Sequence, residues 1–405
     1  MVKAASLLYA LLISLLVGVL CYALLLLFTF NLELENHFEQ KNKLLSHNQF
    51  STSYFLHQNP EDIFLAQPIF DEESNIVSSL EIRSWGMFNL WRITSRASKD
   101  SLSNHILVSR QRKDNTPAIY LRDDGSQLQI SGTTLIEGDV LIPSRGVKKT
   151  VLSGQNRFYD PKVLGSTQTA SRYLPDIENF HLKEPTDFEL FLLKEVPSGT
   201  FVNSFENPTK VIEVSNTLQG IHLKGNIRVR SKDTLHVLND AILEDIIVEA
   251  PKVIFQKGFR GSLQVFASTG ILLEEAVTLE FPSVLVINNI NEVEEREILI
   301  GEGSKVTGSV ILLGNGLETE PKNTLKLEKD SKVTGEIYCD GIAELYGELE
   351  GNIFTSAFRF KNASTEYRNL LFNATIKSLE DPHHFFQLFS EEESTLENPC
   401  ILKKL

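Results

Sequence analysis

Ser304-Lys305-Val306-Thr307-Gly308-Ser309-Val310-Ile311 returns as Ser331-Lys332-Val333-Thr334-Gly335-Glu336-Ile337-Tyr338, 27 residues further on. Looser copies of the phrase, a Gly, then a small or polar residue, then an aliphatic one, stand at Gly138-Asp139-Val140, Gly225-Asn226-Ile227, Gly261-Ser262-Leu263 and Gly351-Asn352-Ile353. Between them run short apolar or alternating stretches: 211–214, 227–230, 246–248, 253–255, 284–287 and 325–327. Turns recurring at similar intervals mark a stack in which each coil buries its apolar face only against the next. Gly suits the corners, where the chain bends sharply and often needs positive φ. An antiparallel sandwich of this size would carry many hairpin dipeptides, whereas this region holds Asn315-Gly316 and Asp340-Gly341. Residues 206–360 are therefore predicted to form a single-stranded parallel β-helix, a solenoid.

Upstream of the repeat lies an uncharged run from Ala4 to Phe30. As a helix it would reach roughly 40 Å, enough to cross a hydrocarbon core of about 30 Å with some tilt. No small-x-small cleavage site follows before Asn31, so the run reads as an uncleaved anchor. Lys3 precedes it, and Lys41 and Lys43 follow at a distance; this balance is read as N-terminus inside, with the rest of the chain outside. Leu34, Phe38 and Leu45 continue at helical spacing, and no Gly or Pro intervenes before Pro60.

The remaining segments divide as follows. Residues 1–58 are the transmembrane helix and helical stalk. Residues 59–158 are a first β segment, whose Trp85 and Trp91 are expected in a small core rather than on a docking surface or sugar platform. Asp123-Asp124-Gly125 predicts a hairpin-like turn between 118–121 and 128–130. Residues 159–205, with Pro161, Pro175, Pro185 and Pro197, read as a connecting region with a short helix near 187–194. Residues 361–405 read as a C-terminal cap of one or two short helices over 366–389, then a mobile tail from Glu391 onward, with a short final strand as the alternative. The fold class is mainly β: an N-terminal transmembrane and stalk helix followed by a β-rich head.

Composition narrows the function classes. In 405 residues, 42% hydrophobic and 23% charged content excludes wholesale disorder. Acidic residues outnumber basic ones 53 to 39, for a net charge of −14, which argues against a general nucleic-acid binder. Of three cysteines, Cys21 lies in the apolar run, which leaves Cys339 and Cys400 as the one available pair.

Two resemblances follow from these residues. A short basic leader, the apolar helix, its amphipathic extension and a β-rich head resemble divergent type IV pilins and pseudopilins over about the first 55 residues. The phrases Val306-Thr307-Gly308-Ser309-Val310 and Leu349-Glu350-Gly351-Asn352-Ile353 are similar to those of bactofilins, bacterial β-helix proteins that polymerise end to end. Together they imply a single-pass protein of the bacterial inner membrane with its head on the periplasmic side. The implied role is non-catalytic: a structural part of a pilus or secretion assembly. The alternatives are a membrane-tethered scaffold polymerising through its β-helix and a β-helix polysaccharide-processing enzyme.

No residue pattern nominates a catalytic, cofactor or metal site. Asp240, Glu244, Asp245 and Glu249 are the closest approach to a carboxylate cluster, and their spacing predicts a solvated edge. Glu292, Glu294, Glu295 and Glu297 with Arg296 read as a charged loop. His383-His384 has only Asp381 as a nearby co-ligand, too few for a metal centre. Asn362-Ala-Ser and Asn373-Ala-Thr match the glycosylation triplet, whose use the bacterial resemblances do not support. The expected partners are the membrane, through residues 4–30, and proteins of an envelope assembly or further copies of the chain. No nucleic acid is expected, and a glycan partner is without support.

Overall fold

The computed structural model describes residues 2–58, 68–71, 75–98, 100–111, 116–152, 160–175, 177, 182–196, 199–288, 295–314, 322–379, 386–387 and 399–405. Strands make up 54% of these residues, and one α-helix, Val2–Leu56, precedes them. By packing, the chain divides into two units, residues 1–81 with 92–104, and residues 82–91 with 105–405.

In the first unit the helix has two different halves. From Ser6 to Phe30 every side chain of the helix is exposed. Its length and composition suffice to cross a membrane. Packing begins later, through Leu44, Asn48, Ser51, Thr52 and Phe55, all buried on one helical face. The Asn48 amide donates to the carbonyls of Ile93 (3.0 Å) and Leu102 (3.4 Å), and to the Ser95 hydroxyl (3.2 Å). His47 Nδ1 lies 2.9 Å from the Ser78 hydroxyl, itself 2.6 Å from that of Ser95. The apolar stripe at Leu34, Phe38 and Leu45 is not this face, and its residues are 57%, 65% and 47% exposed. Periodicity of apolar residues could not find a face on which the polar Asn48, Ser51 and Thr52 separate the buried Leu44 and Phe55.

In the second unit, successive turns of the chain pair parallel on three ladders. Lys305–Leu312 lies on Lys332–Leu345 with Val306 against Val333 and Gly308 against Gly335, so the repeated phrase sits on itself one rung apart. Lys332–Leu345 lies in turn on Glu348–Lys361, Gly335 against Gly351, and pairs elsewhere with Thr324–Leu327. Such long strands bend round the corners and serve several ladders. Inward residues such as Val306, Val333, Leu349, Ile337 and Ile353 are fully buried and fill the interior. Gly308, Gly335 and Gly351 hold φ of 142°, 135° and 148°. A Cβ on any of them would overlap the carbonyl oxygen of the rung beneath, from Ser283, Gly308 and Gly335 respectively.

The order of rungs is not the order of the chain. Glu348–Lys361 pairs onward with Ile119–Leu121, Ile353 against Ile119, and with Thr375–Lys377. Thr375–Lys377 then pairs with Leu135–Glu137. Lys162–Leu164 and Thr167–Thr169 finish that end on Leu135–Glu137 and Val140–Ile142. At the opposite end stand Phe188–Leu192 on Thr209–Glu213 and Gly199–Asn203 on Ile221–Gly225. The chain thus builds one end first, travels the length of the stack, and returns rung by rung.

Several expectations change accordingly. Ile119–Leu121 and Leu128–Ser131 do not form a hairpin. They lie on different ladders, pairing with Glu348–Lys361 and Leu370–Phe372, and Asp123-Asp124-Gly125 is the corner between them. The Asp123 carboxylate accepts the Gly125 N–H at 2.8 Å, which holds its pKa below the usual range. In place of a helix near 187–194 there are strand Phe188–Leu192 and a single 3-10 turn, Leu193–Glu195. The helices expected over 366–389 are, where described, strands Glu366–Arg368, Leu370–Phe372, Thr375–Lys377 and Phe386–Gln387. Asn369 and Asn373, at φ of 51° and 53°, turn the chain between the first three. The last residues are not all tail, because Pro399–Lys404 pairs antiparallel with Asp100–Gln111.

Candidate functional site: faces and ends of the stack

One face of the stack is covered by the chain itself. On the ladder that carries Ile119–Leu121, the outward residues in successive register are Phe266, Val286, Ile311, Tyr338, Phe354 and Tyr120. They form an apolar cluster with Leu174, Ile177 and Leu182, from the segment that travels back. The Tyr120 hydroxyl donates to the Tyr173 carbonyl and that of Tyr338 to the Pro175 carbonyl, each at 3.1 Å. Farther along, Arg228 donates to the Lys183 carbonyl (3.1 Å), and Arg230 grips both Glu184 oxygens (2.7 and 2.9 Å). The described residues 173–175, 177 and 182–184 therefore act as a strap as well as a connection.

The turn around Gly86 covers the same cluster. Gln264, 3% exposed, donates to the Trp85 carbonyl (3.0 Å) and accepts the Met87 N–H (2.7 Å). Trp85 meets Phe205 edge-on at 5.2 Å, and Trp91 is wholly buried. Both tryptophans are core residues, as the sequence reading expects.

The four acidic candidates do not converge. Glu244 pairs with Lys224 (2.7 Å) and lies 3.3 Å from His222. Glu249 serves Arg228 and Arg230 at 2.8 and 3.2 Å. Asp245 is the departure from a solvated edge: its side chain is only 5% exposed, and Lys403 donates to both its oxygens at 2.7 and 2.8 Å. Nothing in the spacing of 240–249 signals a partner at residue 403. Replacing Lys403 with Met would leave that carboxylate buried and unpaired. We expect a loss of about 2–4 kcal/mol and faster proteolysis of the last residues, read by limited trypsin digestion of the full chain.

Glu184 and Glu244 share an electrostatic signature. The Arg230 guanidinium bonded to Glu184, and the Lys224 ammonium bonded to Glu244, hold both carboxyls below the ordinary glutamate range. A carboxyl depressed on folding contributes stability above its unfolded value, about 4.3, and loses that contribution as pH falls through its folded value. The thermal midpoint should be level from about pH 8 to pH 5 and decline below. A Glu184→Gln/Glu244→Gln variant should start lower and decline less steeply.

Among the described residues, no group of three His, Cys, Asp or Glu is placed to hold a metal. Cys339 and Cys400 are free thiols rather than a pair, and burial raises both, Cys400 to about 11. Arg296 is buried and donates to the Leu313 carbonyl (3.3 Å), while Glu292, Glu294, Asp381, His383 and His384 lie outside the described residues. Asn362 tips the Arg359–Arg368 hairpin, its side-chain Oδ1 accepting the N–H groups of Ser364 and Thr365 at 3.0 and 2.8 Å. Asn373 instead accepts the Thr133 N–H (2.9 Å) between rungs.

The rung of Phe188–Leu192 and Gly199–Asn203 differs from the rest of the stack. Phe188, Leu190, Leu192 and Val202 are 49%, 56%, 40% and 58% exposed, whereas Val211, next to Leu190 in register, is 1% exposed. On the inner side, Lys210 Nζ lies 5.2 and 5.0 Å from the ring centres of Phe191 and Phe201. No signal in 188–203 marks a rung end, since its alternation is that of any strand. No protein-family model, curated protein or solved structure matches the chain.

Proposed function

We propose that this chain is a non-catalytic, single-pass protein of a bacterial envelope, whose head is a parallel β-helix held on the periplasmic side of the inner membrane. Its role is that of a minor-pilin-like structural component of a pilus or secretion assembly. The observation that carries this reading is the two-part helix: an apolar half on which no described residue packs and a second half bonded to strand residues Ile93 and Leu102 of its own unit. Exposed Leu34 and Phe38 extend the apolar surface past the span, where they suit a neighbouring helix better than water. The non-catalytic part is supported by Glu244, Asp245 and Glu249, each engaged by a cation.

A photo-crosslinking residue at position 34 or 38, followed by purification from native membranes and mass spectrometry, tests the proposal. Adducts with other single-helix subunits or assembly-platform proteins would support it, and a ladder of the chain with itself alone would overturn it. That ladder would select the second reading, a membrane-tethered scaffold, which rests on strands at both ends of the stack having a partner on one side only.

A further inference from the structure

Within the stack each rung is paired on both sides. Phe188–Leu192 and Gly199–Asn203 pair on one side, with Thr209–Glu213 and Ile221–Gly225, and no described strand meets their far edges. Their free backbone groups form a template for further strands, which exposed native edges commonly discourage with lysine. The opposite end follows that rule. Lys162–Leu164 and Thr167–Thr169 carry Lys162, Thr167, Gln168 and Thr169, all exposed, with Leu164 (54% exposed) as the one exposed large apolar residue of the two strands. Lys148 and Lys149 stand beside them, Lys149 paired with Asp160 at 2.6 Å. The end formed by Phe188–Leu192 and Gly199–Asn203 presents four exposed apolar side chains on its edge strands, Phe188, Leu190, Leu192 and Val202. Its nearest lysine, Lys194, lies on the turn after the first strand rather than on an edge.

We infer that the Phe188–Asn203 rung is an interface with a second copy of this chain, joined rung to rung about a two-fold axis into a closed dimer. A several-sided rung has strand edges facing the same way on its different ladders. Another rung of the same outline meets them together, where a single extended peptide meets one. The patch is self-complementary: exposed apolar side chains face their own kind, and Glu189, in register with Lys210, supplies both signs of charge. Lys210 contacts only the Phe191 and Phe201 rings among its described charge partners, so an approaching carboxylate gains a counter-ion there. Joining this rung to the opposite end would instead strip water from Lys148, Lys162 and the Lys149–Asp160 ion pair against phenylalanine and leucine. If two such ends met, Lys148 and Lys162 would face their own charges, while Lys149 is already paired with Asp160. Association therefore stops at two, as an isologous interface must. The inference stands on the rung itself and holds whichever pilus or secretion assembly the helix serves, whereas an end-to-end scaffold would grow past two.

Native mass spectrometry of the full-length chain in lipid nanodiscs or mild detergent tests it. Dimer is the expected species, lost to monomer in Leu190→Lys and in Val202→Lys, both at positions exposed enough to accept lysine without unfolding. Leu164→Lys, at the other end, should remain dimeric, and unchanged circular dichroism and thermal midpoints would confirm that all three fold. A bismaleimide should also join Val202→Cys, and not Leu164→Cys, into covalent dimers in a Cys21→Ser/Cys400→Ser background. A monomeric wild type, a series growing past two, or a dimer surviving both lysine variants (association through the helix) would each overturn the inference.

Discussion

Gly335→Val should cost the head about 3–5 kcal/mol, and Gly308→Val and Gly351→Val should cost a similar amount. Two penalties add at this corner. The backbone is held at φ of 135°, where an L side chain is strained. A Cβ would also overlap the Gly308 carbonyl oxygen of the rung beneath, and backbone cannot swing aside as the end of a side chain can. The stack transmits the displacement, because Gly308, Gly335 and Gly351 are consecutive register partners. Gly258→Ala is the matched control. It too has positive φ, 79°, but a Cβ there meets nothing within 4 Å, so about 1 kcal/mol is expected. Denaturant unfolding of the full-length chain reads the difference, and equal effects at Gly335 and Gly258 would show that close approach between rungs contributes nothing.

Ile119→Lys should be as damaging, and its damage should appear far away in sequence. Ile119 is fully buried between Ile353 and Val140, its register partners on either side. Placing an ammonium there without a counter-charge should cost about 4 kcal/mol or more. Amide hydrogen exchange should rise at 353–355, in the strand that the Ile119 rung covers, and stay near wild type at 228–230, toward the other end. Gln168→Lys, on an exposed outer edge, should change neither. Unaltered protection at 353–355 would refute the placement of residues 119–169 on the C-terminal rungs.

These two variants also separate what could be read from the chain and what could not. The glycine corners were legible because a sharp bend at positive φ needs a residue without Cβ, and the phrase around Gly308 and Gly335 repeats nearly letter for letter. The partnership of Ile119 with Ile353 was not, since a parallel ladder accepts any run of suitable length and alternation. Buried polar contacts were equally silent. Asn48 on its helical face, Gln264 under the Gly86 turn and Asp245 beneath Lys403 all look like surface residues in a linear reading. Three-residue strands separated by Asn corners, as at Glu366–Arg368, Leu370–Phe372 and Thr375–Lys377, are too short to show alternation, so in sequence they read as helix.

Local chemistry alone was enough to specify an apolar helix of membrane-spanning length, short strands and glycine corners. Each depends on a property carried by a few neighbouring residues: absence of charge, alternation, or freedom at φ. The order of the rungs, the covered face and the uncovered Phe188–Asn203 end were decided by tertiary structure. They depend on which distant segment satisfies a strand's free edge, and hydrogen-bonding groups of the backbone are the same at every residue.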